Sequence, residues 1–293
     1  MDDKSSALLY NQAVKVVVVG GTGFIGSAFC ARLAAAGDEA VALSGRLSVG
    51  ELRSALQGAE AVVNLAGAPV AKSRWTAGTK IVLAESRLGT TRKIVAELSD
   101  FRVGTFVCAS AVGYYGDRGD ERLVESSTPG NDFLAGLCVG WEAEARRAEA
   151  LGTRTVRLRL GVVLGRGGGA LAEMLPLFRL GLGGPFGSGR QWLSWISLED
   201  ATGLIVHLLR GEAAGAVNAT SPNPATNRDF AAALGRALRR PALIRTPAFA
   251  LRLALGERAG LLLGGQRALP ERALKAGYSF KHPDLDSALA AAL

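Results

Sequence analysis

Cysteine and histidine are scarce: the 293 residues hold three cysteines, Cys30, Cys108 and Cys138, and two histidines. The cysteines are odd in number and have no C-x-x-C spacing, which argues against a disulfide framework and against a zinc site. Two histidines cannot build a histidine metal cluster, so no metal is expected, and free thiols suit a reducing, cytoplasmic setting. No run of about 18 apolar residues announces a membrane span. The opening MDDKSSALLYNQ carries two acids and no apolar stretch of signal-peptide length, so no leader is expected. Acids are the minority charge, 26 against 34 Lys and Arg, for a net +8. The arginines are scattered along the chain, which disfavours a nucleic-acid partner and fits a phosphate-binding cleft.

What is present is apolar material, 48% of the chain, enough for a substantial core. The run 13–19 (AVKVVVV) reads as a strand and leads straight into GGTGFIG and an apolar-periodic helix. Strands at 40–43, 61–65, 105–108 and 154–160 then alternate with helices at 49–56, 77–98, 132–151 and 201–209. That alternation predicts an α/β fold, a Rossmann-type doubly wound parallel sheet. From Gly165 the texture changes to glycine-rich loops around a short helix at 171–178, and the tail from Asn227 is helical and broken by Pro241, Pro247 and Pro270. We expect an N-terminal extension (1–13), a dinucleotide-binding core (14–165), and remaining sheet elements with a small C-terminal substrate lobe (166–293).

Gly20-x-x-Gly23-x-x-Gly26 sits between a predicted strand and a predicted helix. Glycines there permit a tight turn and let the backbone approach a pyrophosphate, while the helix N-terminus offers free N–H groups and a positive dipole end. An NAD site usually places an acid at the end of the second strand, where it takes the ribose hydroxyls. Here the end reads Leu43-Ser44-Gly45-Arg46. No acid is present, and Arg46 suits a 2′-phosphate, so NADP(H) is the expected cofactor; a solvated loop arginine is the alternative. Asn64-Leu65-Ala66-Gly67 after the third strand reads either as the adenosine flank or as a plain turn.

The segments GGTGFIG, NLAG, SAVGYYGD and GVVLG together resemble the extended short-chain dehydrogenase/reductase superfamily. Asp132-Phe133-Leu134 with Trp141-Glu142, Gly187-Ser188-Gly189-Arg190-Gln191-Trp192 with Trp195, and Gly264-Gly265-Gln266-Arg267 sharpen the likeness to its atypical "epimerase family" branch. Members of that branch are often labelled nucleoside-diphosphate-sugar epimerases or cell-division-inhibitor-like proteins. The resemblance implies that Gly20, Thr22, Gly23, Phe24, Ile25 and Gly26 cradle the pyrophosphate. It implies Ser44 and Arg46 at the 2′-phosphate, Leu65, Ala66 and Gly67 beside the adenosine, Arg87 on the cofactor, and Val162 and Leu164 near the nicotinamide. It also admits a homodimer through the long helices.

Catalysis in the superfamily uses Tyr-x-x-x-Lys, the lysine lowering the tyrosine pKa, with a serine alongside. No Tyr-x-x-x-Lys occurs in this chain. Counting back from Glu142, the helix offers Leu134 and Cys138 in those places, and Ala111 takes the serine slot with Ser110 one residue short. Tyr114 and Ser110 are the remaining catalytic candidates, and Cys138 reads as core. Tyr115, Gln191, Trp192 and Trp195 are expected in a substrate cleft, the indoles stacking on a small-molecule substrate or sealing the joint between lobes. Asp200 is expected as a helix N-cap and His207 as a core histidine. Two functions follow: an NADP(H)-dependent oxidoreductase or epimerase-like enzyme for a small carbonyl or sugar nucleotide, or a silent NADP(H)-binding redox-sensing module.

Overall fold

A computed structural model describes residues 13–293, so most of the expected N-terminal extension lies outside the described residues. Six strands form the central sheet: β1 (Lys15–Val19), β2 (Glu39–Leu43), β3 (Ala61–Asn64), β4 (Thr105–Ala111), β5 (Arg154–Leu160) and β6 (Gly215–Ala219). Their spatial order is β6-β5-β4-β3-β1-β2, every pair parallel. Buried on both faces, such strands read as unbroken valine runs. Alternation still divides them: Val17 and Val19 enter one core with Ile94, Phe106 and Trp141, while Val16 and Val18 enter the other with Phe29, Leu33, Leu204 and Ile205. The first core is covered by α2 (Val49–Leu56), α4 (Thr90–Leu98) and α5 (Phe133–Arg146), the second by α1 (Phe24–Ala35) and α7 (Leu198–Arg210).

From β1 the chain winds out to β2 on one side, then returns to β3 on the other. Ligands of open α/β sheets bind in the crevice beyond the carboxyl ends of the strands at such a switch point. A third core stands apart from the sheet, built from Leu171 and Phe178 of α6 (Gly169–Arg179), Phe230 and Leu234 of α8 (Asn227–Leu238), Trp195, and Leu289 near the C-terminus.

Two expectations change here. The predicted helix 77–98 is interrupted: α3 (Ala77–Ala84) passes into one π-helical turn, Glu85–Gly89, before α4. The helix α7 is capped by Ser197, whose hydroxyl accepts from the Asp200 amide at 2.9 Å. Asp200 is therefore not the cap but its reciprocal partner, buried beneath residues 278–282 and accepting the amides of Lys281 and His282. His207 is half-buried, with its ring nitrogen 2.8 Å from the Ala276 carbonyl.

Candidate functional site

The glycine turn closes tightly on the end of β3. Gly20 has φ +82°, and a Cβ there would stand 2.8 Å from the Ala66 nitrogen and the Leu65 carbonyl carbon. A Cβ on Gly26 would collide with the Gly20 carbonyl oxygen. α1 then starts on Gly23 with no side-chain cap and no acid in its first turn, so its leading amides stay available to an anion. Phe24 and Ile25, at the head of α1, border a cleft of about 1080 Å³. Thr22 is exposed in the turn itself.

At the end of β2, the Ser44 hydroxyl accepts from the Arg46 amide at 3.2 Å. The Arg46 side chain is exposed and forms no ion pair among the described residues. Across the switch point, buried Asn64 accepts the Ala66 amide at 3.1 Å and donates to Thr91 at 3.0 Å, which fixes the Leu65-Ala66-Gly67 edge of the cleft. The π-helical turn aims two side chains at the same loop. Ser86 Oγ accepts the Ala68 amide at 3.0 Å, and Arg87 donates to the Ala68 carbonyl at 3.0 Å while lying 5.2 Å over the Trp141 ring. Burial lowers the Arg87 pKa, and the guanidinium has no carboxylate partner among the described residues.

At the carboxyl end of β4, Ser110 lines the cleft and its hydroxyl donates to Glu142 Oε1 at 2.8 Å. Glu142 also takes a two-pronged grip from Arg159, at 2.7 and 2.9 Å. Arg159 donates at 2.9 Å to the Tyr115 hydroxyl, which donates to Asn218 Oδ1 at 2.7 Å. Sequence reasoning missed this buried network because Glu142, Arg159 and Asn218 lie on three separate elements. It displaces both tyrosines. Tyr115 is fully buried rather than in the cleft, and burial pushes its pKa up to about 12. Tyr114 lies with its ring 3.5 Å from the Arg159 guanidinium and does not border the cleft.

Leu134 and Cys138, the residues standing where a tyrosine–lysine pair is expected, both face the cleft. Burial raises the Cys138 thiol to about 11, far from a nucleophile at neutral pH. Of the expected cleft residues in the second lobe, Trp192 lines the wall. Trp195 instead sits in the lobe core, its indole N–H donating to the Asn223 carbonyl at 3.1 Å. Gln191 spends its amide on the Phe186 and Leu262 carbonyls, at 3.1 and 2.6 Å. Val162 borders the cleft, whereas Leu164 points into the lobe core.

A wholly parallel sheet with a glycine turn at its switch point, and a cleft bordered by that turn and by C-terminal residues, defines a Rossmann-type dinucleotide-binding protein. The chain belongs to the NAD dependent epimerase/dehydratase family, whose model matches residues 16–220, while residues 246–292 match a domain of unknown function, DUF1731. It is 42% identical over 289 residues to epimerase family protein MT2273 of Mycobacterium tuberculosis, covering 94% of this chain and 96% of the relative. It is 40% identical over 289 residues to human epimerase family protein SDR39U1, covering 94% and 98%. The crystal structure of human SDR39U1 (isoform 2) with NADPH superposes with a TM-score of 0.89 at 37% identity, over 94% of this chain and 98% of that one. UDP-glucuronic acid 4-epimerase from Bacillus cereus, with UDP-glucuronic acid and NAD, shares the fold at 16% identity and a TM-score of 0.79, over 95% and 98% of the two chains. No helix among the described residues is long and apolar enough to cross a membrane.

Proposed function

We propose that the chain is an NADP(H)-dependent oxidoreductase or epimerase-like enzyme acting on a small carbonyl or sugar-nucleotide compound in this cleft. The observation that carries the reading is the acid-free end of β2, whose Leu43 carbonyl accepts the Gly20 and Gly21 amides of the glycine turn and where exposed Arg46 has no ion pair among the described residues. The NADPH in the human SDR39U1 crystal structure is in keeping with it. The residues fit such a group: Gly20 and Gly26 let the turn close where any Cβ would strike backbone, and α1 offers uncapped amides. When bound, NADPH would supply a hydride from the nicotinamide C4 to a carbonyl carbon.

The chain's own residues have separate duties. The first turn of α1 holds the pyrophosphate, Ser44 and Arg46 take the 2′-phosphate, and Leu65, Ala66 and Gly67 flank the adenosine. Arg87, a half-buried cation without a carboxylate partner among the described residues, would turn to the cofactor ribose or phosphate. Ser110 can swing its hydroxyl from Glu142 to a carbonyl oxygen, and Leu134 keeps water from the reacting carbon. A homodimer and a cytoplasmic setting belong to the same proposal.

Calorimetric titration with NADPH and NADH tests it. NADPH should bind more tightly, and Arg46→Ala should abolish that preference, a loss of roughly tenfold or more for a charge-assisted contact. Equal affinity for the two nucleotides in the wild type overturns the NADP(H) assignment. The presence of Leu134 and Cys138 where a tyrosine–lysine pair is expected favours a second reading, a silent NADP(H)-binding module. Consumption of bound NADPH with any carbonyl substrate decides for the enzyme.

A further inference from the structure

Resting on that NADP(H) reading, we infer that the lobe side of the cleft receives an uncharged aromatic carbonyl compound, not a nucleoside-diphosphate sugar. The walls there are built of Trp75, Phe133 and Leu134 from the sheet domain, facing Trp192, Leu261 and Leu263 of the lobe. Trp75 and Phe133 meet edge to face, centroids 5.2 Å apart and planes at 64°. Both are half-buried, leaving ring surface to the cleft. Lys80 backs the Phe133 ring at 4.8 Å, and the Arg267 guanidinium lies 4.4 Å from the Trp192 ring centre. Rings braced in this way lose little entropy when a flat ligand is laid against them.

Charge points the same way. A diphosphate brings two negative charges, and it needs cations or free N–H groups on the wall that receives it. Asp117, Asp132 and Glu257 are among the residues that line the cleft, against Arg252 on the lobe side. Lys80 pairs with Glu257 at 2.8 Å, which still leaves two acids to one base. Arg87 lies on the cofactor side and is held by the Ala68 and Leu83 carbonyls.

The amides and indole that would read sugar hydroxyls are also engaged. Gln191 holds two carbonyls, Gln266 Nε2 donates to the Gly116 carbonyl at 3.0 Å, and Trp192 Nε1 donates to Asp120 at 2.7 Å. A sugar would have to break these bonds to make its own, whereas an aromatic ring gains from the wall as it stands.

The test uses the NADP+-loaded protein, with 9,10-phenanthrenequinone and UDP-glucose as probes, followed by calorimetry and tryptophan fluorescence. The quinone should bind saturably and UDP-glucose should not. Trp75→Ala and Leu261→Asp should each weaken the quinone about tenfold, equivalent to about 1.4 kcal/mol, with NADP+ affinity unchanged. Tighter binding of UDP-glucose than of the quinone overturns the inference. So does quinone affinity unmoved in both variants, or no quinone binding by protein that binds NADP+; in these cases the NADP(H) reading stands. Failure to bind NADP+ at all overturns both.

Discussion

Gly26 has no room for even a methyl group, since the Gly20 carbonyl oxygen occupies the space. Gly26→Ala should therefore eliminate NADPH binding in a calorimetric titration, while Gly136→Ala, at a helical position with nothing within 4 Å of its Cβ, should leave binding intact. Arg159 is the opposite kind of residue, buried and tied by charge to Glu142. Removing one member of a buried pair strands the other, so Arg159→Met should cost roughly 3–5 kcal/mol in urea unfolding. The two residues also show what a sequence can convey. Gly26 was legible because its constraint is local, set by a spacing of three within one turn. The burial of Tyr115 was not, because it depends on Asn218, 103 positions away. Trp195 and Gln191 were misplaced for the same reason: an indole or an amide looks the same in a cleft or a core until its partner is known.

At the scale of elements, period and punctuation placed five of the six sheet strands and their main helices, because parallel strands and crossover helices carry distinct apolar repeats; β6, the short run GAVNA that opens on glycine and carries a buried Asn218, gave no such signal. The π-helical turn at Glu85–Gly89 escaped, since one inserted residue barely disturbs an apolar pattern while it re-aims Ser86 and Arg87. The docking of residues 278–282 on α7 escaped as well, and it has a measurable signature. Hydrogen bonds from Lys281, at 2.6 Å, and from His282 hold the Glu199 carboxyl below its ordinary range. The unfolded chain then takes up a proton more readily than the folded one. The stabilisation is complete above the unfolded value, about 4.3, and is lost as pH falls through the lower folded value. Urea midpoints of the wild type and Glu199→Gln should differ at pH 7 and converge as pH falls through the lowered folded value.

Across the whole molecule, the attachments of the C-terminal elements were not legible, because they are short and distant in sequence. Arg267–Ala268 pairs with Arg122–Leu123. Lys80 reaches Glu257, and Arg258 donates to the Ala71 carbonyl at 2.6 Å, so the lobe is tied to the segment flanking the cleft mouth. A further tie begins at the nucleotide turn. The Phe24 ring, at the first position of α1, is packed against Gly165, Gly168 and Gly169, where any Cβ would meet it at 3.1 Å or less. Those glycines lead into α6, whose Leu171 and Phe178 belong to the lobe core. Amide hydrogen exchange across 165–171 should slow when NADPH is added to the wild type, and Phe24→Ala should blunt that change while leaving exchange in β5 unaltered. One ring thus works as an axle between two wheels: whatever steadies the phosphate end of α1 also steadies the far lobe, and nucleotide loading and substrate fit become parts of one movement.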